Sequence, residues 1–419
     1  MTHQHMNEQA EQIKLANGTL VEGFVDTGYG PVVDAFVDNF DSRGDLGSGC
    51  TVYVAGKLVV DVWGGIADSR SGRVWDHDTA PVIFSSSKGI LAVCVYLLVQ
   101  QGRIDLDAPV ARYWPEFAHN GKGDITVRTA MSHRAGIPSL EKDLTLEQVL
   151  AWDPVISAIE DQRPLYPPGV GHVYHALTYG WIVGELIRRI TGKMPGAFFR
   201  SAIGDRQGLR TWIGLPSTGR DAVAWMEPPL PDEDSDAARQ NALLLENDPL
   251  AERSLTMGGA FAFPAFDGFV TFNSPDIQAA EIPGANGISS APSLARLYAG
   301  CVSSLGDGAL LTTDSIEDAL VVQSSGVQLT GAPDDGARWG TGFQLSSPPS
   351  CPMLGPESFG HAGAGGQLGF ADSTHQVGFA YLSNQMGGYG DARARELTVA
   401  LGRCLGTVVD NARLFDDRV

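Results

Sequence analysis

Cys50 to Gly65, CTVYVAGKLVVDVWGG, alternates in part between apolar and polar positions around a small turn at Ala55-Gly56. That pattern predicts a β-hairpin. Near the other end, LGFADSTHQVGFAYLSNQ (Leu368 to Gln385) predicts two more strands. A last helix follows from about Asp391 to Leu405, with Leu397, Ala400, Leu401 and Cys404 along one stripe. The middle, roughly Asp76 to Asp335, reads instead as helices and long loops. Leu177 to Lys193 is an amphipathic helix with Gly192 placed to cap it and Arg188 and Arg189 in its last turns. Strands distant in sequence can join one antiparallel sheet. The expected fold class is therefore α+β: an antiparallel sheet built from both termini and flanked by helices, with a large, mostly helical region inserted. The expected bounds are 1–75 with 336–419 for the sheet part and 76–335 for the helical part, interlocked as one unit. Glu227 to Asp236 is Pro-rich and acidic and reads as an exposed loop.

Composition narrows the partners. The chain has 419 residues, 43% of them hydrophobic, enough for a large core. Its formal charge of −20 repels phosphate backbones and anionic lipid, so neither a nucleic acid nor a membrane is expected as partner. The N-terminus shows no basic start followed by an apolar stretch, and the longest apolar run, Ile90 to Val99, is short of the roughly 20 residues a bilayer needs. The expected location is the cytoplasm. Five scattered cysteines contain no CxxC pair, so neither a disulfide framework nor a zinc site is indicated, and Cys94 reads as core filler. His172 and His175 stand three apart without a further ligand at an obvious spacing and read as surface or structural residues. There is no GxGxxG turn, no Walker loop and no GxSxG elbow. Composition leaves the oligomeric state open.

The chemistry concentrates in FSSSKGILAVCV, Phe84 to Val95. Ser85 and Lys88 are three apart and share a helix face, whereas Ser86 and Ser87 point elsewhere. Ser85 also falls at the first turn, where free N–H groups and the helix dipole favour a developing anion. A serine hydroxyl needs a nearby base, and a lysine supplies one only when desolvation or a nearby cation lowers its pKa. The apolar run after Lys88 provides a low-dielectric wall. A second Ser-x-x-Lys, Ser139 to Lys142, has no such run directly after it and reads as a loop leading into a helix.

From Phe84 through QQGRIDLDAPVARYWPEF (Gln100 to Phe117), the chain resembles the nucleophile region of the serine β-lactamase-like superfamily, which holds class C β-lactamases, D,D-peptidases and family VIII carboxylesterases. ITVRTAMSHRAGIP (Ile125 to Pro138), PPGVGHVYHALTYGWIVGELIRRITGK (Pro167 to Lys193), PGANGISSAPSLARLYAG (Pro283 to Gly300) and FGHAGAGGQLGFAD (Phe359 to Asp372) follow in the family's order. The resemblance implies that Tyr174 stands in the Tyr-x-Asn motif as a proton relay beside Ser85 and Lys88. A cationic lysine in contact would favour its phenolate. Either Lys88 or Tyr174 can take the first proton. The resemblance further implies that the Ser85 and Ala364 amides form an oxyanion hole, and that His361 and Gly363, in the place of Lys-Thr-Gly, line the substrate site. It assigns no chemistry to His175.

Two departures bear on substrate. Ala176 stands where the family has Asn, and His361-Ala362 stand where Lys-Thr helps hold a substrate carboxylate. Both weaken recognition of an anionic lactam. The expectation is a serine esterase acting on a small-molecule ester through acyl-Ser85, a chemistry that requires no metal and no organic cofactor. A β-lactamase, a D,D-peptidase or amidase, an acyltransferase and a catalytically silent binding protein are the alternatives. FAFPAFDGFVTF (Phe261 to Phe272) reads as core or loop-anchoring aromatics, with an apolar pocket wall as the other reading.

Overall fold

The computed structural model describes residues 11–230, 249–261, 268–306, 308–331, 334–348, 350–388 and 391–409. Residues 231–236 of the expected acidic loop and 262–267 of the phenylalanine-rich segment lie outside them.

Both ends of the chain meet in one antiparallel sheet, eleven-stranded among the described residues. Its order is Glu11–Lys14, Leu20–Val25, Lys57–Asp68, Gly47–Val54, Val377–Ser383, Gln367–Asp372, Ser358–Gly363, Gln344–Leu345, Arg338–Trp339 and Ser324–Ser325, with Arg73–Val74 paired to Lys57–Asp68 off this path. Val377–Ser383 is the junction, placing Phe379 opposite Val52 on one side and Phe370 on the other. The expected hairpin forms as Gly47–Val54 and Lys57–Asp68, and Ala55 and Gly56 turn it with φ of 48° and 76°. Two positive φ values in succession match the right-handed twist of paired strands.

Period-two alternation divides each central strand between two cores. Val52, Phe370, Phe379 and Tyr381 face the helices Gly30–Ser42 and Arg393–Leu405, which contribute Val32, Phe36, Phe40, Leu397 and Leu401. On the opposite face Tyr53, Ala371, Ala380 and Leu382 join Leu294, Leu297 and Tyr298 of the helix Ala291–Val302. That helix reaches the strand backbone because position 378 is glycine, where a Cβ would lie 2.2 Å from the Ala299 amide nitrogen.

The same core encloses the helix Ser87–Gln100, whose residues from Ser87 through Tyr96 are all buried. A helix apolar on every side is held by its surroundings, each fully buried large aliphatic contributing about 1.5–3 kcal/mol. No side-chain cap closes its N-terminus, so the serines there are spent on other partners. The amphipathic helix forms over Thr178–Thr191 and ends on Gly192 in the left-handed region, φ 73°. No described helix is long and apolar enough to cross a membrane.

The structure adds elements that the pattern did not announce: the strands Glu11–Lys14 and Leu20–Val25 and the helix Gly30–Ser42 at the N-terminal end. Two pieces from the middle of the chain, Ala291–Val302 and Ser324–Ser325, lie on the sheet and in its edge.

Candidate active site

The turn Phe84-Ser85-Ser86 leads into the helix Ser87–Gln100, and each serine has its own task. Phe84 takes φ 43°, a left-handed conformation that costs free energy in a residue with a side chain. Its ring packs edge-on against Phe272, 5.3 Å between centroids, and Phe272 stacks on Phe261. Both of these phenylalanines are buried, as expected of anchoring aromatics. Ser87 Oγ donates to the Phe84 carbonyl and accepts the Gly287 amide, fixing the turn from below. Ser86 Oγ donates to the His361 carbonyl at 2.9 Å, tying the turn to the strand Ser358–Gly363. Ser85 alone is left partly exposed.

Lys88 and Tyr174 converge on that residue. Lys88 Nζ lies 3.0 Å from Ser85 Oγ, and the Tyr174 hydroxyl lies 2.9 Å from the same oxygen. Lys88 is fully buried, and its other contacts are the carbonyls of Ala176 and Gly284, each at 2.8 Å. As an ammonium it fills all three acceptors. As a neutral amine it keeps both carbonyls and turns its lone pair to Ser85, so a proton can arrive without rearrangement. Desolvation holds the Lys88 pKa well below its ordinary value, favouring the neutral amine.

Desolvating surroundings push the Tyr174 phenol up, an effect only partly opposed by its bond to Ser85. The expectation that lysine would favour phenolate is therefore reversed: a neutral amine exerts no such pull, and Tyr174 stays protonated. The phenol ring is clamped by Trp339, stacked at 5.1 Å, and by His133 at 4.7 Å. Its backbone amide donates to Gln328 Oε1 at 2.8 Å. His133, Gln328 and Trp339 were missed by sequence reasoning. His133 lies within the quoted Ser-His-x-x-Gly-x-Pro segment and adopts φ 63°, whereas nothing local distinguishes Gln328 or Trp339.

Gly363 and Ala364 sit where the hairpin between Ser358–Gly363 and Gln367–Asp372 turns. At Gly363 a Cβ would lie 2.4 Å from the Ile83 carbonyl oxygen and 3.0 Å from Ser86 Oγ, so only glycine brings the hairpin this close to the serine turn. Among the described residues no backbone carbonyl takes the Ser85 or Ala364 amide. His361 is 2% exposed and packs near Trp339 and Tyr174. Its Nδ1 is 2.6 Å from the Ala362 carbonyl, and its Nε2 is buried with no partner among the described residues. Desolvation, with a smaller contribution from Lys88, lowers its pKa to about 3, so the ring is neutral.

His175 packs in the interior: Nδ1 faces the Val173 carbonyl at 2.6 Å and Nε2 accepts the Ile137 amide. His172 is buried too. In the second Ser-x-x-Lys, Ser139 is buried while Lys142 is exposed in the loop before the helix Leu146–Leu150. Cys94 is fully buried.

Comparison with known proteins identifies the family. A family model described as Beta-lactamase matches residues 33–403. An esterase/beta-lactamase LipL of Mycobacterium tuberculosis is 34% identical over 381 residues, 88% of this chain and 84% of that protein. Among solved structures, a penicillin-binding protein homolog from Caulobacter crescentus is 31% identical with a TM-score of 0.79, and a family VIII carboxylesterase is 30% identical with the same score. Each of those alignments covers 92% of this chain and 99% of the other. This chain, with the fold of these relatives, belongs to the beta-lactamase family.

Proposed function

We propose that this chain hydrolyses carboxylic esters of small molecules through an acyl-Ser85 intermediate. The observation that carries the reading is the meeting of three groups from two distant segments: Ser85 Oγ within hydrogen-bonding distance of both Lys88 Nζ and the Tyr174 hydroxyl, on a turn that keeps Ser85 partly exposed. Neutral Lys88 takes the Ser85 proton as Oγ adds to the ester carbonyl. The oxyanion rests on the Ser85 and Ala364 amides, each such donor typically being worth about 10²–10³ in rate. Tyr174 gives its proton to the departing alkoxide, and the Lys88 ammonium replenishes it. Water then attacks the acyl group with the same residues as base.

Neutral His361 and Ala362 offer no cation to a substrate carboxylate, which supports an uncharged ester over an anionic lactam. The two esterase-named relatives support the same choice. The net charge of −20 fits work in the cytoplasm on a diffusible substrate. Lactam cleavage is the second reading, favoured by the double name of the Mycobacterium relative and by the penicillin-binding homolog.

The test is one panel: p-nitrophenyl esters of increasing acyl length against a chromogenic cephalosporin, for the native chain and Ser85→Ala. The proposal expects ester turnover far above cephalosporin turnover, abolished in Ser85→Ala. Undiminished ester turnover in that variant would overturn it.

A further inference from the structure

The hairpin turn that carries Ala364 is held from below by an arginine remote from Ser85 in sequence. Arg393, 2% exposed, opens the helix Arg393–Leu405. Its Nη1 donates to Asp45 Oδ1 at 2.6 Å and to Ser383 Oγ at 3.1 Å. Its Nε donates to both oxygens of Asp391, at 3.1 and 3.0 Å. Its Nη2 contacts Asp391 and donates to the carbonyls of Gln385, at 3.0 Å, and Gly365, at 2.7 Å. Asp45 is itself fixed by Ser48, Tyr381 and Ser383. A buried guanidinium with all its donors used and two carboxylates beside it is a rigid support.

The turn is shaped to sit on that support. At Gly366 a Cβ would lie 2.4 Å from Asp391 Oδ2 and 3.0 Å from Arg393 Nη2, and at Gly365 it would lie 2.6 Å from Met386 Sδ. Both glycines have positive φ, 82° and 92°, for Gly365 and Gly366 in turn. Ala364 is thus suspended between two anchors. Gly363 abuts the serine turn, and the Gly365 carbonyl accepts from Arg393. An oxyanion donor is effective only when it stands about 2.7–3.1 Å from the developing charge, a tolerance of roughly 0.5 Å.

We infer that Arg393 is a positioning residue which, clamped by Asp45 and Asp391, aims the Ala364 amide at the tetrahedral oxyanion through the Gly365 carbonyl. The inference rests on the acyl-Ser85 reading. It separates Arg393 from residues that only stabilise the fold, because its effect falls on the transition state and not on ground-state binding.

The experiment uses the full chain and Arg393→Lys, which keeps the charge but not the span. It measures kcat and KM on p-nitrophenyl butyrate, the inhibition constant of a trifluoromethyl ketone that forms a hemiketal with a serine, and the thermal midpoint. Expected are a fall in kcat of about tenfold to a hundredfold, KM within about twofold, and weakening of the ketone by the same factor as kcat/KM. Asp391→Asn, which loosens the clamp from its other side, is expected to follow the same line with a smaller effect, and it carries the test should Arg393→Lys fail to fold. Unchanged kcat in a folded variant, or lost kcat with undiminished ketone affinity, overturns the inference. Full activity in Ser85→Ala sinks the parent reading instead, so the two failures are distinct.

Discussion

The Lys88 amine reaches Ser85 Oγ at 3.0 Å, with no carboxylate beside it among the described residues to hold a charge. Desolvation alone sets its depressed pKa, and only its neutral form can accept the serine proton. The rate should therefore rise with pH as Lys88 loses its proton, along an acid limb of kcat/KM that Lys88 governs. Lys88→Arg keeps a permanent cation in that place. It is expected to lose about 10²–10⁴ in kcat/KM and the acid limb with it. A pH profile of both proteins on a p-nitrophenyl ester checks this, and an unchanged limb in the variant refutes it.

The proposed mechanism assigns Tyr174, kept protonated, to the leaving group. Tyr174→Phe preserves the stack on Trp339 and removes only the hydroxyl. The loss should be small for p-nitrophenyl esters, whose p-nitrophenolate leaves unaided, and about 10²-fold or more for ethyl esters, which release an alkoxide. Equal losses on both would show that the phenol serves another step. Gln328→Ala, which frees the Tyr174 amide, should reproduce the pattern more weakly.

The packing around the nucleophile helix makes a paired prediction. A Cβ at Gly89 would lie 2.1 Å from the Tyr298 hydroxyl, which is buried without a hydrogen-bond partner among the described residues. Gly89→Ala should destabilise by about 1–3 kcal/mol through overpacking. Tyr298→Phe removes an unsatisfied polar atom and should be neutral or stabilising. The double variant should recover part of the loss in urea unfolding. Strict additivity would mean that the two positions do not press on each other.

His77 and Asp61 give stability its own pH dependence, apart from catalysis. His77 Nε2 lies 3.0 Å from Asp61 Oδ2, and that hydrogen bond raises the His77 pKa from 6.5 to about 9 against the opposing effect of desolvation. The folded form binds the proton more tightly than the unfolded chain. The contribution is therefore complete below about pH 6.5 and is lost as pH rises through about 9. His77→Gln should flatten the thermal midpoint over that interval. Titration of the imidazole by NMR near its ordinary value would contradict the raised pKa.

Legibility followed the range of the interaction. The hairpin at Ala55-Gly56, the helix capped by Gly192, and the Ser85–Lys88 pair depend on neighbours a few residues apart, and the chain spells them locally. The convergence of Tyr174 on Ser85 spans 89 positions and came from the resemblance, not from periodicity. His361 was expected to line the substrate site, yet its ring is enclosed near Trp339 and Tyr174, a consequence of segments that no local pattern joins. The strand Glu11–Lys14 carries Glu, Gln and Lys at the sheet's edge and so shows no apolar signal. The helix Gly30–Ser42 was overlooked although Val32, Val33, Phe36 and Phe40 follow helical spacing. The direction of the Tyr174 shift followed from the burial of its own phenol, which only the fold could reveal.

The bond from Ser86 to the His361 carbonyl joins positions 275 apart. The turn that holds Ser85 is thereby stitched to a strand drawn from a much later stretch of the chain. A polypeptide carrying the helix Ser87–Gln100 but lacking that strand would hold the turn without this tie and without the close approach of Gly363. Under the proposed mechanism, the anion cradle would then be complete only once both segments are in place.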